Sequence, residues 1–95
     1  GVIKIIFTPG HTPGHQSVLV NLPKTGHMLF TGDACYTGDH WCDKCLPGLV
    51  SSSTDAAESV KKLRKVAKEH DAKVVWGHDP VSWPGWKKAP MFYYD

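Results

Sequence analysis

The apolar positions fall into four short β-type runs and one helical stretch. Val2 to Phe7 is apolar and β-branched, broken only by Lys4, and reads as a mostly buried strand. Ser17 to Leu22 is a second such run and His27 to Thr31 a third. Between them Pro23-Lys24-Thr25-Gly26 has turn chemistry, with Pro early and Gly at the end, so residues 17–31 are expected to form a hairpin. Residues 34–50 carry no period and read as irregular. From Ser51-Ser52-Ser53-Thr54-Asp55 the period changes. Ala56, Val60, Leu63 and Ala67 recur at three- and four-residue spacing, with Val66 beside them and Lys, Arg and Glu on the other positions. This predicts an amphipathic helix to about Lys68, capped by Thr54 or by Asp55, which has capping-box spacing to Glu58. Lys73 to Trp76 is the fourth strand. The tail from Pro80 to Asp95 is expected to be an extended segment packed by its aromatic residues.

Between the first two strands lies Thr8-Pro9-Gly10-His11-Thr12-Pro13-Gly14-His15-Gln16. Its prolines and glycines forbid a helix interior, so it reads as a stiff loop presenting imidazoles at a strand end. The layout recurs at Thr31-Gly32-Asp33-Ala34-Cys35-Tyr36 and at Trp76-Gly77-His78-Asp79. Strand ends bearing His or Asp beside Gly can converge on one metal site.

Composition narrows the picture. The chain has 95 residues, 41% hydrophobic and 21% charged, which is globular material for one domain or part of one. Its net charge of +2 gives no reason to expect nucleic acid, and the basic cluster Lys61 to Lys68 reads as a solvated helix face. No apolar run approaches the ~20 residues of a membrane span. The sequence shows no secretory signal, and its three cysteines, Cys35, Cys42 and Cys45, favour reduced thiols and a cytoplasmic setting. It opens directly on a strand-like run, from which we expect a missing upstream segment.

Each candidate has a chemical role and a plainer alternative. His11 suits a metal ligand, or it is a turn histidine. His15 suits a group that orients a ligand, or a structural hydrogen bond. Asp33 can bridge two metals through its two oxygens, or form an Asx turn. Tyr36 can donate to a developing oxyanion, or cover the core. His78 repeats the logic of His11, and Asp79 beside it can hold a neighbouring ligand or start the Asp-Pro turn. Cys42 and Cys45, with Cys35 and His40, could form a small zinc knuckle. His27 and His70 read as surface residues.

Together the Thr-Pro-Gly-His11-Thr-Pro-Gly-His15, Gly-Asp33 and Gly-His78 motifs resemble the C-terminal half of the metallo-β-lactamase superfamily. Within it, Gly14-His15-Gln16-Ser17, Asp33-Ala34-Cys35-Tyr36, Leu46-Pro47-Gly48, Gly77-His78-Asp79 and Trp86…Ala89-Pro90…Phe92-Tyr93 resemble the N-acyl-homoserine lactonases that quench quorum signals. The resemblance implies an α/β fold, the C-terminal half of an αβ/βα sandwich with mostly antiparallel strands and one main helix. It implies two divalent metal ions, expected to be zinc. His11 would bind one, His78 the other, and Asp33 would bridge them. Tyr36 would hydrogen-bond the lactone as the ring opens, with His15 and Asp79 supporting the ligands. Trp83, Trp86 and Phe92 would cover the acyl chain or pack on the sheet.

The family's other ligands come from a His-x-His-x-Asp-His motif, which this sequence does not contain. Residues 1–95 are therefore expected to be a partial domain whose partner is the N-terminal half, inactive in isolation, with oligomerisation left open. The expected substrate is a small lactone, with neither nucleic acid nor membrane as partner. Competing readings are a glyoxalase-II-like thioesterase, a non-catalytic zinc module on Cys35, His40, Cys42 and Cys45, and a structural remnant without function.

Overall fold

The structure, a computed structural model, describes residues 3–41, 52–78 and 83–86. Four strands, β1 (Ile3–Phe7), β2 (Gln16–Leu22), β3 (Gly26–Gly32) and β4 (Lys73–Trp76), form one sheet in the order β1-β2-β3-β4. A short helix α1 (Gly38–Trp41) and a long helix α2 (Ser53–His70) connect β3 to β4. The first three strands are antiparallel, with Ile5 opposite Val18 and Leu19 opposite Leu29. β4 lies parallel to β3 with Leu29 opposite Val74. A parallel neighbour needs a crossover, and α2 supplies it.

One face of the sheet packs on α2. Ile6, Leu19 and Leu29 from three strands meet Leu63, Ala67 and Ala34, with Val66, Val74 and Trp41 against them. The helix buries Ala56, Val60, Leu63 and Ala67, the stripe that its period predicts, together with Ser59. The other sheet face is apolar and exposed along β1, while Met28 on β3 is buried. Ile3, Ile5 and Phe7 are each more than half exposed. β1 is thus not the mostly buried strand that its composition suggests, because its alternate side chains point away from α2 and only Ile6 joins the core.

Other local expectations also change. The N-cap of α2 is Ser52, whose hydroxyl accepts the Asp55 N–H, rather than Thr54 or Asp55. The helix runs on to His70 and stops at Asp71, in the left-handed region with φ 49°, whose N–H caps the carbonyls of Ala67 and Lys68. The irregular stretch holds α1. In the tail, Trp83–Gly85 is a 3-10 turn rather than extended chain. His27 and His70 are half-buried and face each other, with ring centroids 4.7 Å apart, because the hairpin turn and the end of α2 meet. Among the described residues no helix is long and apolar enough to cross a membrane.

Candidate metal centre

Three loops meet at the end of the sheet where β1, β3 and β4 finish. The loop carrying His11 leaves β1 and returns into β2. Its base is closed by the Thr8 N–H donating to the His15 carbonyl at 2.9 Å. Its far side is tied to α2: the Ser52 N–H donates to the Gly10 carbonyl at 3.0 Å, and the Ser59 hydroxyl to the Pro9 carbonyl at 2.6 Å. Gly10 has φ +143°, and a Cβ there would lie 2.5 Å from the Cα of Ala56. Only glycine lets the loop sit this close to the helix.

The second and third loops are locked to each other. The Gly77 N–H donates to the Cys35 carbonyl at 3.1 Å and the His78 N–H to the Tyr36 carbonyl at 3.0 Å. These bonds extend the pairing at the ends of β3 and β4, so the turn bearing Asp33 also carries His78. The two backbones approach so closely that a Cβ on Gly77 would collide with the Gly32 carbonyl.

Convergence follows. Oδ2 of Asp33 faces Nε2 of His11 at 3.5 Å, and Oδ1 faces Nε2 of His78 at 2.8 Å. The Tyr36 hydroxyl is 3.3 Å from Nδ1 of His11, and the Tyr36 ring lies 4.4 Å, centroid to centroid, from that of His78. Of His11, Asp33 and His78, His11 is the most enclosed and His78 the most open, at 24% and 59% exposure. The centre is therefore a shallow, solvent-reachable cluster on a rigid base.

His15 stands beneath it. Its Nε2 accepts the backbone N–H of Asp33 at 3.1 Å, and its Nδ1 is 2.9 Å from the Thr8 hydroxyl. With both ring nitrogens in bonds within the protein, it is placed to hold Asp33 rather than to join His11 and His78. The hydroxyl residues Thr8, Ser17 and Thr31, fully buried around it, carry no signal in the sequence, since Thr and Ser are ordinary at strand ends.

Trp83 is more than half exposed, and the Trp86 N–H bonds the Trp83 carbonyl at 3.2 Å. Cys35 is buried, and its Sγ–H donates to the Thr37 carbonyl at 3.4 Å. Asp79, Phe92, Cys42 and Cys45, and the side chain of His40, lie outside the described residues.

Donor chemistry decides what this cluster can hold. Among the described residues no three His, Cys, Asp or Glu side chains gather around a single point. Instead one imidazole and one carboxylate oxygen face each other at each of two places sharing Asp33. Imidazole and carboxylate suit zinc and similar divalent ions, and one carboxylate can serve two of them. Two protein donors per place is fewer than the three or four of an ordinary zinc site. The donor types fit a divalent ion, and the described residues alone do not complete a site for one.

The sequence matches the Metallo-beta-lactamase superfamily over residues 1–78. The chain belongs to that superfamily. Over 93 residues it is 57% identical to the N-acyl homoserine lactonase AttM of Rhizobium radiobacter, an alignment covering 98% of this chain and 35% of AttM. It is 37% identical over 90 residues to an N-acyl homoserine lactonase of Bacillus cereus, covering 95% of this chain and 36% of that enzyme. The chain thus spans about a third of the length of these curated relatives. Its fold superposes with a TM-score of 0.87 and 31% identity on an N-acyl homoserine lactone hydrolase solved with the product N-hexanoyl-L-homoserine at its catalytic metal centre. That match covers 94% of this chain and 35% of the hydrolase. A dizinc quorum-quenching lactonase, AidC, at 22% identity and a TM-score of 0.69, shares the fold.

Proposed function

We propose that these residues form the C-terminal portion of the active site of a metal-dependent hydrolase that opens the ring of N-acyl-homoserine lactones. One observation carries the reading: the two oxygens of Asp33 face different imidazoles, with the Tyr36 hydroxyl beside His11. The likeness to lactonases supports the choice of substrate.

His11 and His78 would each hold one divalent ion, zinc being the natural choice, and Asp33 would be shared between them. The ions, when bound, supply Lewis acidity and bring the pKa of water down to about 7. Too few donors stand among the described residues to complete either position, and with the chain spanning about a third of its relatives' length, the remaining ligands are proposed to come from chain beyond these 95 residues. A cytoplasmic setting belongs to the same proposal and is supported by the odd count of three cysteines in the sequence.

The protein's own groups do the positioning. Lactone hydrolysis adds a water oxygen to the carbonyl carbon and breaks the ring ester bond, and the proton ends on the released alkoxide. Negative charge gathers on the carbonyl oxygen as the carbon becomes tetrahedral. To offer Nε2 as a ligand, neutral His11 must carry its proton on Nδ1, which faces the Tyr36 oxygen. Tyr36 then accepts from His11, and its own hydrogen is not spent on that bond. It can donate to the carbonyl or leaving oxygen of the lactone. The ring of Tyr36 against His78 fixes where that donor points.

The test is ring opening of an N-hexanoyl-homoserine lactone by the complete polypeptide, run beside a glutathione thioester. Zinc-dependent turnover of the lactone with little thioester cleavage is the expected result. Preferential thioester cleavage would move the reading to a glyoxalase-II-like activity.

A further inference from the structure

The core face of the sheet changes character at its site end. Ile6, Leu19 and Leu29 form an apolar row against α2. One step further along each strand on the same face stand Thr8, Ser17 and Thr31, none more than 1% exposed. A buried hydroxyl without a partner is costly, and each of the three has one: Thr8 meets His15 and Ser17, and Thr31 donates to the Cys35 carbonyl.

The direction of that chain can be worked out from its two ends. At one end the Asp33 N–H can only donate, so Nε2 of His15 accepts and the imidazole is neutral with its proton on Nδ1. Nδ1–H then donates to Thr8 Oγ1 at 2.9 Å. Thr8 passes its own hydrogen to Ser17 Oγ at 2.9 Å. Ser17 donates to the Thr31 carbonyl at 3.2 Å, which can only accept. Every link runs in one sense. The Thr31 hydroxyl turns the other way and donates to the Cys35 carbonyl at 2.8 Å, with the Val75 carbonyl of β4 at 3.3 Å. The His15 ring is also wedged sterically: a Cβ on Gly32, where φ is +56°, would lie 3.1 Å from Nε2.

We propose that Thr8 and Ser17 are positioning residues that hold His15 in a single tautomer, and that this tautomer sets Asp33 for sharing between two metal ions. If the proton moved to Nε2, His15 would present a donor to the Asp33 N–H, and two donors cannot bond. The turn carrying Asp33 would lose its anchor to the loop carrying His11. The hydroxyl chain thus governs the spacing of two candidate ligands that it never touches. The assignment rests on Asp33 being the shared carboxylate.

The experiment uses the complete polypeptide as wild type, Thr8→Val, Thr8→Ser and Ser17→Ala. Nitrogen-15 NMR of the metal-free protein reads the His15 tautomer, competition with a chromogenic chelator reads zinc affinity, and thermal melting confirms folding. Wild type and Thr8→Ser are expected to show the Nδ1–H form alone. Thr8→Val is expected to show a mixture, with zinc affinity lower by about tenfold, the scale of losing an outer-shell partner of a metal ligand. A pure Nδ1–H signal in folded Thr8→Val would overturn the proposal. So would a shifted tautomer with zinc affinity within about twofold of wild type. Should Thr8→Val fail to fold, Ser17→Ala removes the next link and the same two readings decide. Tautomer and affinity shifts in a protein that does not open lactones would strike the proposed activity and leave this assignment standing.

Discussion

Nε2 of His78 lies 2.8 Å from Oδ1 of Asp33, although the two residues are 45 positions apart. The other oxygen of the same carboxylate faces His11. Both imidazoles therefore converge on the Asp33 carboxylate, and the substitutions that separate the three have different consequences.

Asp33→Asn keeps the shape and removes the charge. Both metal positions are expected to weaken together, by more than the ~10–100-fold of an outer-shell loss. His78→Ala is expected to affect mainly one of the two ions. Zinc stoichiometry of the purified complete variants tells these apart, and loss of a single ion in Asp33→Asn would refute the shared carboxylate.

Tyr36→Phe retains the ring against His78 and deletes only the hydroxyl. The expected outcome is unchanged zinc content with kcat for the lactone reduced by about 10²-fold, the scale of losing one oxyanion donor. An unchanged kcat would show that the hydroxyl does not serve the reaction.

Two glycines make a matched pair for stability. A Cβ at Gly77 runs into the Gly32 carbonyl, a backbone atom that cannot swing aside, whereas a Cβ at Gly14 meets nothing within 4 Å. Gly77→Ala is expected to cost about 1–3 kcal/mol, as overpacking does. Gly14→Ala is expected to be neutral or to stabilise by about 0.4–1 kcal/mol through the unfolded chain. Urea denaturation of the complete protein measures both, and equal midpoints would contradict the close approach of the two loops.

Ser52→Ala tests the helix start. It removes the hydroxyl that accepts the Asp55 N–H but leaves the backbone bond from Ser52 to Gly10. A loss of about 1 kcal/mol is expected for this variant, against a negligible loss for Thr54→Ala. The reverse order would return the cap to Thr54.

That contrast also marks where the sequence is legible. The helical stripe Ala56, Val60, Leu63 and Ala67, the hairpin and the strand ends bearing His or Asp follow from period and from Pro and Gly placement. The run Ser51-Ser52-Ser53-Thr54-Asp55 offers a capper at every position, and a long-range bond from Ser52 to Gly10 accompanies the choice. β1 is less buried than its apolar run implies, because such a run does not say which of its two faces meets a helix. The His27–His70 contact and the role of Thr8, Ser17 and Thr31 depend on register between strands, which no local pattern carries. His11, Asp33, His78 and Tyr36 were nameable from motif and resemblance, and their meeting within a few ångströms is a property of the fold.

The crossover through α2 has a kinetic consequence. Ser59 reaches Pro9 across 50 residues and Lys62 reaches the Phe7 carbonyl across 55. His78 meets Asp33 only once β4 has docked parallel to β3. Such closures pay their chain entropy before any contact rewards them, so they belong to the late side of the folding barrier. A divalent ion held between these loops would then bind what forms last. Added zinc should lengthen the native lifetime in an unfolding jump and leave the refolding limb almost where it was.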